Sequence, residues 1–301
     1  MTPIPKASRF LSPLLASALV AASTVALRAS VALFKVDPDQ TTLELQPETA
    51  GTPWQAQAPG SLDCAFGGWL AVDFGAGTVQ VLVGSSLLGV EASPWQPGPH
   101  GTGAVVPADF GAKTTVGSGL STDHEVAAIR GLRLALASDP VPLGQGTFDA
   151  SALAFSIPSF PKTTLDYRAN GLLVAVGQRT LAGTSIPNAA PGGVLSPVIR
   201  EVQTLSVPVD IVLPPQTLPA GETHLRLVGK IVARRGPTIL SPVVLMIPSD
   251  ETPGLCTFVW AAPFKLQKAT RLDPADWTDV ATDAPARVTL DDDAGFFRVT
   301  R

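Results

Sequence analysis

The row Leu205, Val207, Val209, Ile211 and Leu213, with Ser206, Pro208, Asp210 and Val212 in between, is the feature that most limits the fold. Apolar residues at every second position describe a strand with one face turned to a core, and a helix cannot gather them on one side. Shorter rows repeat the pattern: Val79, Val81 and Val83; Leu132, Leu134 and Leu136; Leu153, Phe155 and Ile157; Leu225 and Leu227; Val288 and Leu290. Turn-forming clusters such as Pro97 to Gly103 and Pro187 to Gly193 separate them, and the 27 glycines and 29 prolines fit that punctuation. Many short strands between such turns predict an all-β protein, either an antiparallel β-barrel or a sandwich. Pro208 cannot donate to a ladder, so its strand is expected to be at an edge or a bulge there. Thr122 to Glu125 (TDHE) reads as a capping box that opens a short helical turn.

An internal duplication is expected within this β domain. Ser61 to Val72 (SLDCAFGGWLAV) aligns without gaps with Thr164 to Ala175 (TLDYRANGLLVA), and Thr223 to Ala233 (THLRLVGKIVA) is a weaker third copy. Each carries a glycine at the inward-facing parity: Gly68, Gly171 and Gly229. Glycine in an inward row removes a side chain where strands coil sharply.

The first thirty-two residues read as an export signal. Lys6 and Arg9 form a basic start, Leu11 to Leu27 an apolar stretch, and Ser30-Val31-Ala32 a small-x-small cleavage pattern. Thr24-Val25-Ala26 is a second candidate site. The alternative is an uncleaved anchor, but the stretch contains Pro13 and falls short of the ~20 apolar residues that span a bilayer. Cleavage after Ala32 removes three basic residues and takes the net charge from −4 to −7. An acidic chain has no electrostatic grip on phosphate backbones, so nucleic acid is excluded as a partner. The expected address is secreted, periplasmic or cell-envelope. No transmembrane segment beyond the signal is expected.

Residues 33–236 then form the β domain. Arg234-Arg235-Gly236-Pro237 closes it with a turn signal, and a small C-terminal β module, sandwich-like, occupies 240–301. In that module a strand ends at Trp260, followed by Phe264, Leu266 and Gln267 in F-x-L-Q-x-A-T. Trp277 in D-W-x-D-V and the closing Phe296, Phe297 and Arg298 complete the pattern. It resembles a module common at the C-terminus of exported bacterial proteins. The resemblance implies a compact β unit without known catalysis. The first domain, with Phe34 to Leu45 and the rows at 204–213 and 225–233, resembles secreted bacterial all-β proteins that carry no assigned activity.

The sequence offers no catalytic constellation. His100, His124 and His224 lack metal-ligand spacing, and neither a G-x-S-x-G elbow nor a phosphate-binding loop occurs. No metal and no cofactor are expected. Asp123-His124-Glu125 reads as a solvated turn with a capping glutamate. Asp63 and Asp166, equivalent in the repeat, fall on the outward parity and read as surface or turn-bonding residues. Asp291 to Asp293 reads as an exposed acidic hairpin rather than a calcium site. Cys64 and Cys256 read as separate buried thiols, because alternation turns Cys64 inward, away from the module.

Two functions remain. The first is a non-enzymatic structural or interaction protein of the envelope or extracellular space, acting on a partner through its surface. The second is a β-barrel that binds a small apolar, lipid-like ligand beneath a 35-residue lid from Glu91 to Glu125. If the barrel is hollow, Phe66, Trp69, Trp95 and Tyr167 are its candidate ligand-binding residues.

Overall fold

The computed structural model describes residues 30–102, 106–116, 123–170, 174–236, 244–248, 255–260, 264–271, 276–282, 286–290 and 295–300. Its first strands are β1 (Ser30–Val36), β2 (Thr42–Thr49), β3 (Thr52–Ala56), β4 (Asp63–Gly75), β5 (Thr78–Val81) and β6 (Ser85–Gly89). Next come β7 (Phe110–Val116), β8 (Asp123–Arg130), β9 (Arg133–Ser138), β10 (Val141–Pro142), β11 (Thr147–Phe148) and β12 (Leu153–Ile157). The main domain ends with β13 (Thr163–Asn170), β14 (Ala175–Leu181), β15 (Gly183–Pro187), β16 (Gly193–Leu195), β17 (Gln203–Leu218) and β18 (Gly221–Arg235). These strands form one large antiparallel system, as the alternating rows require. The protein is all-β and sandwich-like, with a single 3-10 turn at Ala150–Ala152 among the described residues.

The longest row becomes β17, in which Leu205, Val207, Val209, Ile211 and Leu213 are all buried. It pairs with β18 from Gln203↔Arg235 to Leu218↔Gly221, and the register shifts between Leu213 and Gln216. Pro214 and Pro215 fall in that shift, where the missing N–H groups cannot support a ladder. Pro208 stays in register with Lys230. On the other side of β17 the ladder is interrupted: β16 pairs only at Leu205 and Ser206. Asn188 fills the gap with its side chain, accepting from the Asp210 N–H at 2.8 Å and donating to the Pro208 carbonyl at 3.0 Å.

Pairing therefore runs β17, β18, β2, β4, β6, β9, β12 and β15. Asn188 and Ala189, directly after β15, bond back to β17 and draw the sheet around its core. A second layer leaves β2 as β3, β7, β8, β13 and β14. Its apolar side, with Phe110, Ile129 and Leu165, shares one core with Phe34, Phe66, Leu70, Phe155, Val209 and Leu227. Each fully buried side chain of this size contributes about 1.5–3 kcal/mol.

Two of the repeat glycines sit where strands exchange partners. β18 pairs with β2 up to Lys230 and with β1 from Ala233. β4 pairs with β2 up to Ala65 and with β1 from Gly68. A Cβ on Gly229 would run into the Thr42 carbonyl oxygen, and one on Gly68 into the Ser86 carbonyl oxygen. The absent side chain of Gly229 lets β2 close on β18 beside the join with β1, and that of Gly68 lets β6 close on β4. Gly171 lies outside the described residues. The two best-aligned repeat copies form β4, in the first layer, and β13, in the second.

Three expectations are corrected. Asp123 to Glu125 does not cap a helical turn: it opens β8, with Glu125 fully buried. The stretch Glu91 to Glu125 is not one loop, since β7 and the start of β8 lie in it. Val83 falls beyond β5 and is exposed.

The C-terminal strands are β19 (Val244–Pro248), β20 (Leu255–Trp260), β21 (Lys265–Ala269), β22 (Thr278–Ala281), β23 (Ala286–Thr289) and β24 (Phe296–Thr300). They form two three-stranded sheets, β19-β20-β23 and β22-β21-β24, around a core of Cys256, Phe258, Trp260, Leu266 and Val299. Phe297 packs on Phe258 at 4.5 Å between ring centroids. The Trp260 indole donates to the Phe264 carbonyl at 2.6 Å. Gln267 accepts from Arg298 at 2.9 Å and donates to Asp279 at 2.6 Å, while Arg298 lies over Trp277 at 4.1 Å. The residues of the F-x-L-Q, D-W-x-D-V and F-F-R segments thus hold one another. Asp291 to Asp293 lie outside the described residues.

Gly229→Ala is expected to destabilise the protein by about 1–3 kcal/mol, the usual cost of overpacking. Gly236→Ala, where a Cβ meets nothing within 4 Å, is the near-neutral control. Urea unfolding checks this, and equal midpoints for the two variants would remove the partner-exchange role of Gly229.

Candidate functional site

Alternation along β13 turns Leu165 and Tyr167 to the core and Asp166 to the opposite face. Of the two roles expected for Asp166, surface or turn-bonding, the structure corrects the first and keeps the second: Asp166 is 1% exposed and accepts from the His100 N–H, because residues 93–100 run across the outer face of the second layer. Asp63, its counterpart in the repeat, is exposed. Equivalent positions therefore differ through what covers them.

One ion pair holds the crossing segment. Arg130 Nη1 meets Asp166 Oδ2 at 2.7 Å, and both side chains are buried. Arg130 Nη2 donates to the Trp95 and Pro97 carbonyls at 2.8 and 2.7 Å. Asp166 Oδ1 accepts from the His100 N–H at 3.0 Å and from Gln178 at 2.8 Å. Charge-assisted bonds of this kind are about twice as strong as neutral ones. Gln57 adds a second clasp, accepting from the Gln96 N–H at 2.8 Å and donating to the Ala112 and Ala127 carbonyls. Trp95 lies over Gly111, where a Cβ would collide with it at 2.5 Å. The segment is thus a strap fastened by buried charge.

Two further carboxylates are buried. Asp109, at the foot of the strap, accepts from the Leu132 N–H at 2.6 Å, and burial pushes its pKa up to about 6. Burial, together with the nearby Asp109 charge, pushes the Cys64 thiol up to about 12, so it stays protonated and unreactive. Glu125 faces the core side of β8 and accepts from the Ala220 N–H at 2.7 Å, at the turn between β17 and β18. Burial pushes Glu125 up to about 7. Cys64 and Cys256 are free and lie in separate cores, with Cys64 turned inward as alternation implies.

The four aromatic candidates do not converge. Phe66 is a core residue packed against Phe110, with 6.4 Å between ring centroids. Trp69 lies at the β4 position paired with Lys35 and Ser86. Trp95 belongs to the strap, and Tyr167 borders the core with Arg179 at 5.7 Å from its ring. None of them lines the apolar cavity between the layers. That cavity, walled by Leu45, Trp54, Phe110, Ile129, Leu165 and Leu225, holds about 10 Å³, room for at most one water molecule.

A wider groove of about 410 Å³ lies on the outer face of β2, β18 and β17, beside Gln46, Glu48, Val212, His224 and Arg226. Arg226 is engaged there by both oxygens of Asp210 at 2.7 Å, and this bond holds the Asp210 carboxyl below the usual range. His100 is on the strap, His124 on β8 and His224 on β18, where it sits 3.4 Å from Glu222. Among the described residues no group of three or more His, Cys, Asp or Glu is placed to hold a metal ion. The described charges that are buried hold backbone in place. Glu125 and Arg130 carry charge inside the apolar strand β8, the sequence signal for their burial, whereas Asp109 lies just ahead of β7 and has none.

No protein-family model, curated protein or solved structure matches the chain.

Asp166→Ala leaves Arg130 buried without its partner and is expected to cost about 3–5 kcal/mol, with faster proteolysis within residues 93–100. Asp63→Ala is the neutral comparison. Equal stability and equal cleavage of the two variants would show that the ion pair does not fasten the strap.

The raised carboxylates also set a pH dependence. Glu125 rises from 4.5 to about 7 on folding, so the folded state holds its proton longer. Stability from this group is full below pH 4.5, falls as pH rises to about 7, and is flat above. Asp109 acts alike between 3.8 and about 6. The melting temperature is therefore expected to be higher at pH 5 than at pH 8. Glu125→Gln is expected to raise it at pH 8 and flatten the profile; an unchanged profile would rule out Glu125 as its source.

Proposed function

We propose that the chain is an exported, non-enzymatic structural or interaction protein of the cell envelope or extracellular space, acting through its folded surface. The observation that carries this reading is the use of its buried polar groups. Arg130, Asp166, Asp109 and Glu125 each hold a segment of backbone, and the apolar cavity beside Leu45, Trp54 and Phe110 holds about 10 Å³. A pocket for a lipid-like ligand takes several hundred Å³. The closely interlocked C-terminal module fits the same reading, since its recurring residues bond to one another. The export half rests on the leader read from the sequence and on the resemblance to exported bacterial proteins.

Native mass spectrometry of the protein purified from an exporting host tests it. The bare chain, alone or as an assembly of chains, is the expected result. A stoichiometric lipid-sized adduct would overturn it in favour of an apolar-ligand binder.

A further inference from the structure

The last two small-x-small patterns of the leader region, Thr24-Val25-Ala26 and Ser30-Val31-Ala32, place candidate export cuts after Ala26 and after Ala32. The fold treats them differently. β1 starts at Ser30, and its first three residues are in register with β4 as Ser30↔Phe74, Val31↔Asp73 and Ala32↔Val72. Ala32 is 6% exposed and belongs to the main core with Phe34 and Val36. Leu33, the residue a cut after Ala32 would turn into the new terminus, is 2% exposed and paired with Ala71.

We infer that the leader is processed at Thr24-Val25-Ala26, so that the mature chain begins at Leu27 and keeps β1 whole. The inference rests on the export reading above and adds to it the position of the cut. A cut after Ala32 would put a charged ammonium on Leu33, in the middle of a buried strand. An unpaired charge buried in an apolar strand is strongly unfavourable. It would also strip Val72 to Phe74 of their partners on the β1 side, leaving part of β4 as an open edge. A cut after Ala26 leaves three residues ahead of the strand, Leu27, Arg28 and Ala29, so the charge does not fall within the ladder. Arg28 is then retained, and the mature net charge is −6 rather than −7.

The test is the full chain, with its own leader, expressed in a bacterial host with a general export pathway. The exported protein is then examined by intact-mass measurement and N-terminal sequencing. A first residue of Leu27 is expected. Ala26→Val, which spoils the small residue before the cut, is expected to abolish that terminus, whereas Ala32→Val is expected to leave it unchanged. A first residue of Leu33, or any other processed terminus, overturns the assignment to Ala26 while leaving export intact. A full-length chain retained in the cell overturns the export reading itself.

Discussion

Strand pairing without an unsatisfied edge is the constraint on which the rest of this structure depends. The β17–β18 hairpin offers two long ladders, and β18 is satisfied only by two strands placed end to end, β2 and then β1. β4 accepts the same two strands from the other side. At the handover Gly229 leaves room for the Thr42 carbonyl of β2, while Gly68, on β4, leaves room for the Ser86 carbonyl of β6 on the other side of that strand. At the far side of β17, where Pro208 cannot donate, the amide of Asn188 stands in for a strand. Backbone polar groups left unpaired in a core cost more than such substitutions do.

The second layer depends on that ring. It leaves through the β2–β3 turn, covers the core with Phe110, Ile129 and Leu165, and exposes an outer face that carries charge. The strap across this face converts Arg130 and Asp166 from surface residues into a buried pair. Every contact around them holds a carbonyl or an N–H of the strap or a neighbouring side chain. Glu125 does similar work at the opposite end, where it meets the turn between β17 and β18. Charge in this molecule organises irregular backbone.

Much of the fold was legible in the sequence. The rows at 132–136, 153–157 and 205–213 name their strands and their buried faces, and Gly68 and Gly229 lie where strands change partners. The burial of Cys64 follows from parity in the same way. The candidate site was not legible. Asp63 and Asp166 occupy equivalent positions in the repeat, yet one is exposed and the other is buried. The difference is made by a segment some 66 residues away, whose His100 N–H reaches Asp166. Asp123 to Glu125 has the letters of a helix cap, but pairing of β8 with β7 and β13 overrides that local preference.

The sequence by itself determined the all-β class and the inward faces, because side-chain alternation is a local property. Tertiary structure alone decided which strands share an edge, which outward carboxylate is covered, and that Ala32 lies in the core. Those outcomes depend on what arrives from distant parts of the chain. Burial of an outward-facing residue is a property of its cover, and the cover is written elsewhere in the sequence.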